Sequence, residues 1–84
     1  MNLVFSDNAW DDYLYWHHND KKILQRIHQL IAEIKRDPRG GIGKPEPLKY
    51  TLSGFWSRRI NDEHRIVYKF DKTHLYIAQL RYHY

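Results

Sequence analysis

Glu46 stands between Pro45 and Pro47, two rings that stiffen the backbone on either side of its carboxylate. Far along the chain, Arg81-Tyr82-His83-Tyr84 follows directly on an alternating apolar run, where a disposable tail would be polar. An imidazole can take or give a proton near neutral pH, and a carboxylate can act as a base when held in place. Lys44, Lys49, Arg58, Arg59, Arg65, Lys69, Lys72 and Arg81 are interleaved with Tyr50, Phe55, Trp56, Tyr68, Tyr76, Tyr82 and Tyr84. Positive charge answers phosphates and flat rings answer unpaired bases, so this composition fits single-stranded nucleic acid on an open sheet. Tyr84 could stack on a base or close the last strand against its neighbour. The bland readings are a solvated loop carboxylate at Glu46, a surface imidazole at His83 and an ordinary basic surface elsewhere. Strand alternation sends Arg65, Val67 and Lys69 to one face and His64, Ile66, Tyr68 and Phe70 to the other, so at least half of these aromatics are expected to face a core.

Other chemistries find less support. The six His include no His-x-x-x-His pair beside a Glu, and there is no Cys, so neither a metal nor a cofactor is expected. Gly40-Gly41-Ile42-Gly43-Lys44 lacks the spacing and the following Ser or Thr of a nucleotide-binding loop. The absence of Cys also fits a reducing compartment. The start, MNLVFSDNAWDD, is acidic, and no apolar run nears the roughly 20 residues that span a bilayer, so a cytoplasmic protein with no membrane partner is expected.

These residues need a frame to position them. Eighty-four residues, 42% hydrophobic and 15% aromatic, are enough for one modest core, so residues 1–84 are expected to form a single domain. The net charge is +4 and uneven: residues 1–20 carry −4 and residues 21–84 carry +8. A short extended run at residues 2–5 leads to Ser6, which can cap a helix carrying Ala9, Trp10, Tyr13, Leu14 and Trp16 or His17 at helical spacing. Asp20 can cap a second helix, in which Ile23, Ile27, Leu30, Ile31 and Ile34 form one apolar stripe. Residues 37–45, with Pro38, Pro45 and three glycines, break that helix. The period then changes towards two, with strands expected near 47–52, 56–60, 64–70 and 75–81. Two helices cannot cover both sides of such a sheet, so the expected fold is α/β of the α+β type, with both helices on one face and the other face open.

The words Lys44-Pro45-Glu46-Pro47-Leu48-Lys49, Leu52-Ser53-Gly54-Phe55-Trp56-Ser57-Arg58-Arg59-Ile60, Glu63-His64-Arg65 and Arg81-Tyr82-His83-Tyr84 together resemble the YoeB toxins of the RelE/ParE superfamily. The likeness extends to the opening strand, the Trp-Asp-Asp-Tyr-Leu-Tyr-Trp run and the start of the second helix. It implies a RelE-like fold, with two helices on a mostly antiparallel sheet. It also implies a bacterial type II toxin that cuts messenger RNA in the A site of the 70S ribosome without a metal, and so inhibits translation. A YefM-like antitoxin, a homodimer, and DNA contact only through the antitoxin complex are implied as well. By the same resemblance Glu46 is the general base, Arg65 contacts the reacting phosphate and His83 is the general acid. Tyr84 helps to place the nucleotide, and Lys49 and Arg59 line the site. The competing readings are a non-enzymatic nucleic-acid-binding module and a ParE-like toxin directed at gyrase.

Overall fold

The computed structural model describes residues 1–83. The chain opens with strand β1 (Asn2–Phe5) and passes at once into helix α1 (Asp7–Asn19). Ser6 makes that junction: its Oγ accepts the Ala9 N–H and donates to the Ala78 carbonyl, joining the helix start to the last strand. Asp20 then serves two helices. Its N–H closes α1 on the Trp16 carbonyl, and its carboxylate accepts from Lys22 and Ile23 N–H to open helix α2 (Lys21–Arg36). Leu24, Ile27, Leu30, Ile31 and Ile34 are the buried face of α2, while Ile23 is only half-buried at its margin. In α1, Ala9 and Trp16 are buried and Tyr13 packs against the core, but Trp10 stays exposed.

After α2 come β2 (Glu46–Pro47), a 3-10 turn (Tyr50–Leu52), β3 (Trp56–Arg59), β4 (Arg65–Phe70) and β5 (His74–Gln79). The sheet runs β1-β5-β4-β3-β2, with β1 parallel to β5 and the other neighbours antiparallel. Both helices pack on one face, where Ile60, Ile66, Tyr68, Leu75, Ile77 and Leu80 meet the buried sides of α1 and α2. The fold expected from the sequence is therefore the fold observed.

Three local expectations fail for physical reasons. The strand expected at 47–52 is two residues long: Leu48 N–H still donates to the Phe55 carbonyl, but the Phe55 N–H turns to the Leu52 carbonyl, and the ladder stops there. Tyr50 then takes a left-handed conformation (φ 58°) and begins the 3-10 turn. The last strand ends at Gln79, because side chains of α1 take over the backbone of Leu80. Asp12 Oδ2 accepts its N–H (3.0 Å), and Trp16 Nε1 donates to its carbonyl (2.8 Å). Fewer aromatics reach the core than alternation suggested: Tyr68 is buried and Trp56 packs on the core, whereas Tyr50 and Tyr82 are exposed. Phe55 and Tyr76 instead sandwich the ammonium of Lys69 on the opposite face.

Candidate functional site

Cross-strand partners share a face, so register decides what the open side of the sheet presents. Ile66 and Tyr68 point to the helices, which turns Val67 outward. From Val67 one row runs across four strands: Glu46 opposite Ser57, Ser57 opposite Val67, and Val67 opposite Gln79. A second row pairs Arg59 with Arg65, and a third joins Lys69, Tyr76 and Val4. A bulge at Ala78, skipped between the Val67–Gln79 and Tyr68–Ile77 pairs, keeps both faces in phase. The open face thus carries a carboxylate at one edge, two guanidinium groups beside it and an amide at the far end of the row.

The sequence from Asp37 to Glu46 sets where that carboxylate stands. Arg58, on the helix side of β3, is fully buried, with Nη2 donating to the Asp37 carbonyl (2.7 Å), Nη1 to the Ile42 carbonyl (3.0 Å) and Nε to the Tyr68 hydroxyl (3.0 Å). Tyr68 in turn donates to the Pro38 carbonyl, and its burial pushes the phenol pKa up, against the pull of the Arg58 hydrogen bond. Arg58 is therefore a brace inside the protein and leaves the exposed basic set in which its sequence neighbours placed it. Gly43 (φ 84°) completes the loop. Its carbonyl accepts the Arg59 N–H at 2.7 Å, and a Cβ there would lie 2.9 Å from Leu30 Cδ2 and 3.1 Å from Arg58 Cβ. Glu46 emerges from this loop exposed, and shares a depression of about 430 Å³ with Pro47, Leu48, Lys49, Tyr50 and Leu52.

Arg65 is buried to 8% exposure, with Nη1 donating to the carbonyls of Asn61 (2.8 Å), Asp62 (3.2 Å) and His64 (3.1 Å). Those bonds fix the guanidinium at the β3–β4 turn, beside the exposed Arg59. The terminal segment comes to the same place, since the Arg65 N–H donates to the Tyr82 carbonyl at 3.0 Å. Gln79 Nε2 donates to the carbonyls of Arg81 (2.8 Å) and Tyr82 (3.3 Å), and the Arg81 guanidinium lies 3.5 Å from the Tyr15 ring centroid. His83 follows, lining a second depression with Asn8, Asp12, Gln79, Arg81 and Tyr82. In that depression burial raises the Asp12 pKa, opposed by the Leu80 N–H and by Arg81.

The structure thus brings Arg59 and Arg65 together as cross-strand partners, Glu46 and Lys49 into one depression, and the backbone leading to His83 onto Arg65. Glu46 and His83 line separate depressions, at opposite ends of the row. Tyr84 lies outside the described residues. Sequence reasoning passed over Ser57, buried at 3% exposure in the same row as Glu46, and Gln79, which ties the terminal backbone. Strand register was the missing signal for both. Among the described residues no three His, Asp or Glu side chains gather in a way that could hold a metal ion.

Comparison with known proteins gives a consistent result. Residues 5–84 match the model of a family described as the YoeB-like toxin of bacterial type II toxin-antitoxin systems. Toxin YoeB of Escherichia coli K12 is 56% identical over 84 residues, covering 100% of both chains. A YoeB/ParE toxin from Agrobacterium tumefaciens has a solved structure that is 45% identical and superimposes with a TM-score of 0.97 over 100% of both chains. YoeB of Staphylococcus aureus, 49% identical, has been solved as a dimer (TM-score 0.94) and in a heterotetrameric complex with YefM (TM-score 0.93), each match covering 100% of this chain and 98% of the other.

Proposed function

The chain belongs to the YoeB-like toxin family of bacterial type II toxin-antitoxin systems, and from that premise we propose that residues 1–84 act as one domain, a ribosome-dependent messenger RNA endonuclease that inhibits translation. The observation that carries the reading is the open sheet face itself. Glu46, the Arg59–Arg65 pair and the terminal backbone tied to Arg65 all lie along neighbouring strands. Strands stand about 4.8 Å apart, so the row from β2 to β5 spans roughly 14 Å, enough to lay a nucleotide between its ends.

RNA carries its own nucleophile in the 2′-hydroxyl, so the protein needs to supply only a base, a charge clamp and an acid. Glu46 takes the 2′-hydroxyl proton as that oxygen attacks phosphorus. Arg65, with Arg59 and Lys49, stabilises the negative charge that builds on the phosphoryl oxygens. His83 protonates the departing 5′-oxygen as its bond to phosphorus breaks. The products are a 2′,3′-cyclic phosphate and a 5′-hydroxyl, and Tyr84 helps to place the nucleotide. No metal or other cofactor takes part in these steps. The burial of Arg65 and its three carbonyl partners support this role, because a guanidinium already fixed in place loses little freedom when charge develops beside it.

The partners follow the relatives. The Staphylococcus aureus complex contains YefM, so this toxin is proposed to be held inactive by a YefM-like antitoxin and to meet DNA only through that complex. A homodimer is proposed on the strength of the dimeric relative. Among the described residues no helix is long and apolar enough to cross a membrane. The proposed place of action is the cytoplasm, on 70S ribosomes carrying messenger RNA in the A site. The test adds untagged protein to ribosomes programmed with a defined A-site codon, beside a His83→Ala variant and free messenger RNA, and maps the cut ends. A discrete A-site cut that is lost in the variant is expected. No cut by folded, ribosome-bound protein would move the assignment to a binding module or a gyrase-directed toxin.

A further inference from the structure

The turn from which His83 projects is held by side chains that take no part in the reaction. Tyr82 has φ 64°, a left-handed conformation that costs any non-glycine residue free energy and persists only where its surroundings enforce it. Its carbonyl is enforced by the Arg65 N–H and by Gln79 Nε2. Its N–H donates to Nδ1 of His64 at 2.7 Å. His64 is buried to 7% exposure, with its ring edge-on to Trp16 at a centroid separation of 4.7 Å, the same Trp16 whose Nε1 donates to the Leu80 carbonyl.

A backbone N–H can only donate, so the lone pair must reside on Nδ1 and the proton of the neutral ring on Nε2. Glu63 Oε1 lies 3.8 Å from that Nε2, on the solvent side. We propose that His64 is a positioning residue for His83: its Nδ1 accepts the Tyr82 N–H and thereby fixes the backbone turn from which the His83 imidazole projects. This rests on the nuclease reading, in which His83 is the acid.

Two substitutions separate the acceptor from the ring. His64→Phe keeps the ring against Trp16 but has no acceptor, whereas His64→Asn places Oδ1 where Nδ1 stood and does not titrate. In single-turnover cleavage on programmed ribosomes, His64→Phe is expected to lose about tenfold or more in rate, with ribosome association within about twofold. His64→Asn is expected within about threefold of the parent. Parent-like cleavage by His64→Phe, or equal losses in both variants while both melt as folded proteins, would each overturn the proposal. Should either variant fail to fold, long-range nitrogen-proton spectra of the histidine-labelled parent decide: unprotonated Nδ1 at His64 is expected, and Nδ1–H would overturn it. His83→Ala serves as the reference. Full cleavage by that variant would overturn the role of His83 and this proposal with it, whereas its loss alongside full activity of His64→Phe would overturn this proposal alone.

Discussion

Replacing Arg58 by Met tests whether the loop that carries Glu46 is held from within. Met fills most of the aliphatic volume but leaves the Asp37 and Ile42 carbonyls without their donor and removes a bond to the Tyr68 hydroxyl. An unsatisfied buried acceptor costs about 1–3 kcal/mol, and partial rehydration of a loop carbonyl recovers some of it, so the loss should be about 2–4 kcal/mol. In a domain of this size that corresponds to roughly 10–25 °C in Tm. Arg58→Lys sharpens the test, because a single ammonium cannot span three acceptors arranged for a planar fork, and it should recover less than half of the loss. Urea unfolding followed by Trp fluorescence measures both. If both variants lie within about 0.5 kcal/mol of the parent, the range of an ordinary surface change, the brace does not exist and Arg58 returns to the basic surface.

Gly43→Ala should destabilise by about 2–4 kcal/mol, since the left-handed backbone costs about 1–2 kcal/mol for a residue with a Cβ, and the crowding against Leu30 and Arg58 adds to it; an unfolding midpoint equal to the parent's would contradict this. Asp12 gives a pH prediction: burial raises its folded pKa, so its contribution to stability is fully present below the unfolded value of 3.8 and is lost as the pH rises through the folded value. Asp12→Asn, which can still accept the Leu80 N–H, should therefore be at least as stable as the parent at pH 7, with the difference closing towards pH 4 in urea unfolding. A deficit that grows with pH would reverse the sign and refute the reasoning.

The apolar stripe of α2 and its stop at Asp37-Pro38 were legible because periodicity and backbone chemistry are local properties. The end of β5 was not, because the groups that capture Leu80 come from Asp12 and Trp16, 68 and 64 residues earlier. Arg58 misled for a different reason. In the structure it shares the helix side of β3 with Trp56 while its chemistry argued for solvent, and only the loop carbonyls reconcile the two. At the site, the rigid Pro-Glu-Pro and the basic pairs were visible as residue types. That Arg59 faces Arg65 and that Ser57 and Gln79 share the Glu46 row depend on register, which a single strand sequence does not specify. His64 read as a core-facing residue of its strand; it is buried, but stands just before β4. Its bond to Tyr82 could not be seen before the terminal segment had a place.

The most direct test of the proposed chemistry uses programmed 70S ribosomes with two messages that differ at one atom. One is all ribose, and the other carries 2′-deoxyribose at the nucleotide whose 2′-hydroxyl should attack. The predicted result is a single A-site cut in the first, with 2′,3′-cyclic phosphate and 5′-hydroxyl ends, and no cut in the second. Cutting of both messages at comparable rates would contradict the mechanism, because the nucleophile would then have to come from elsewhere.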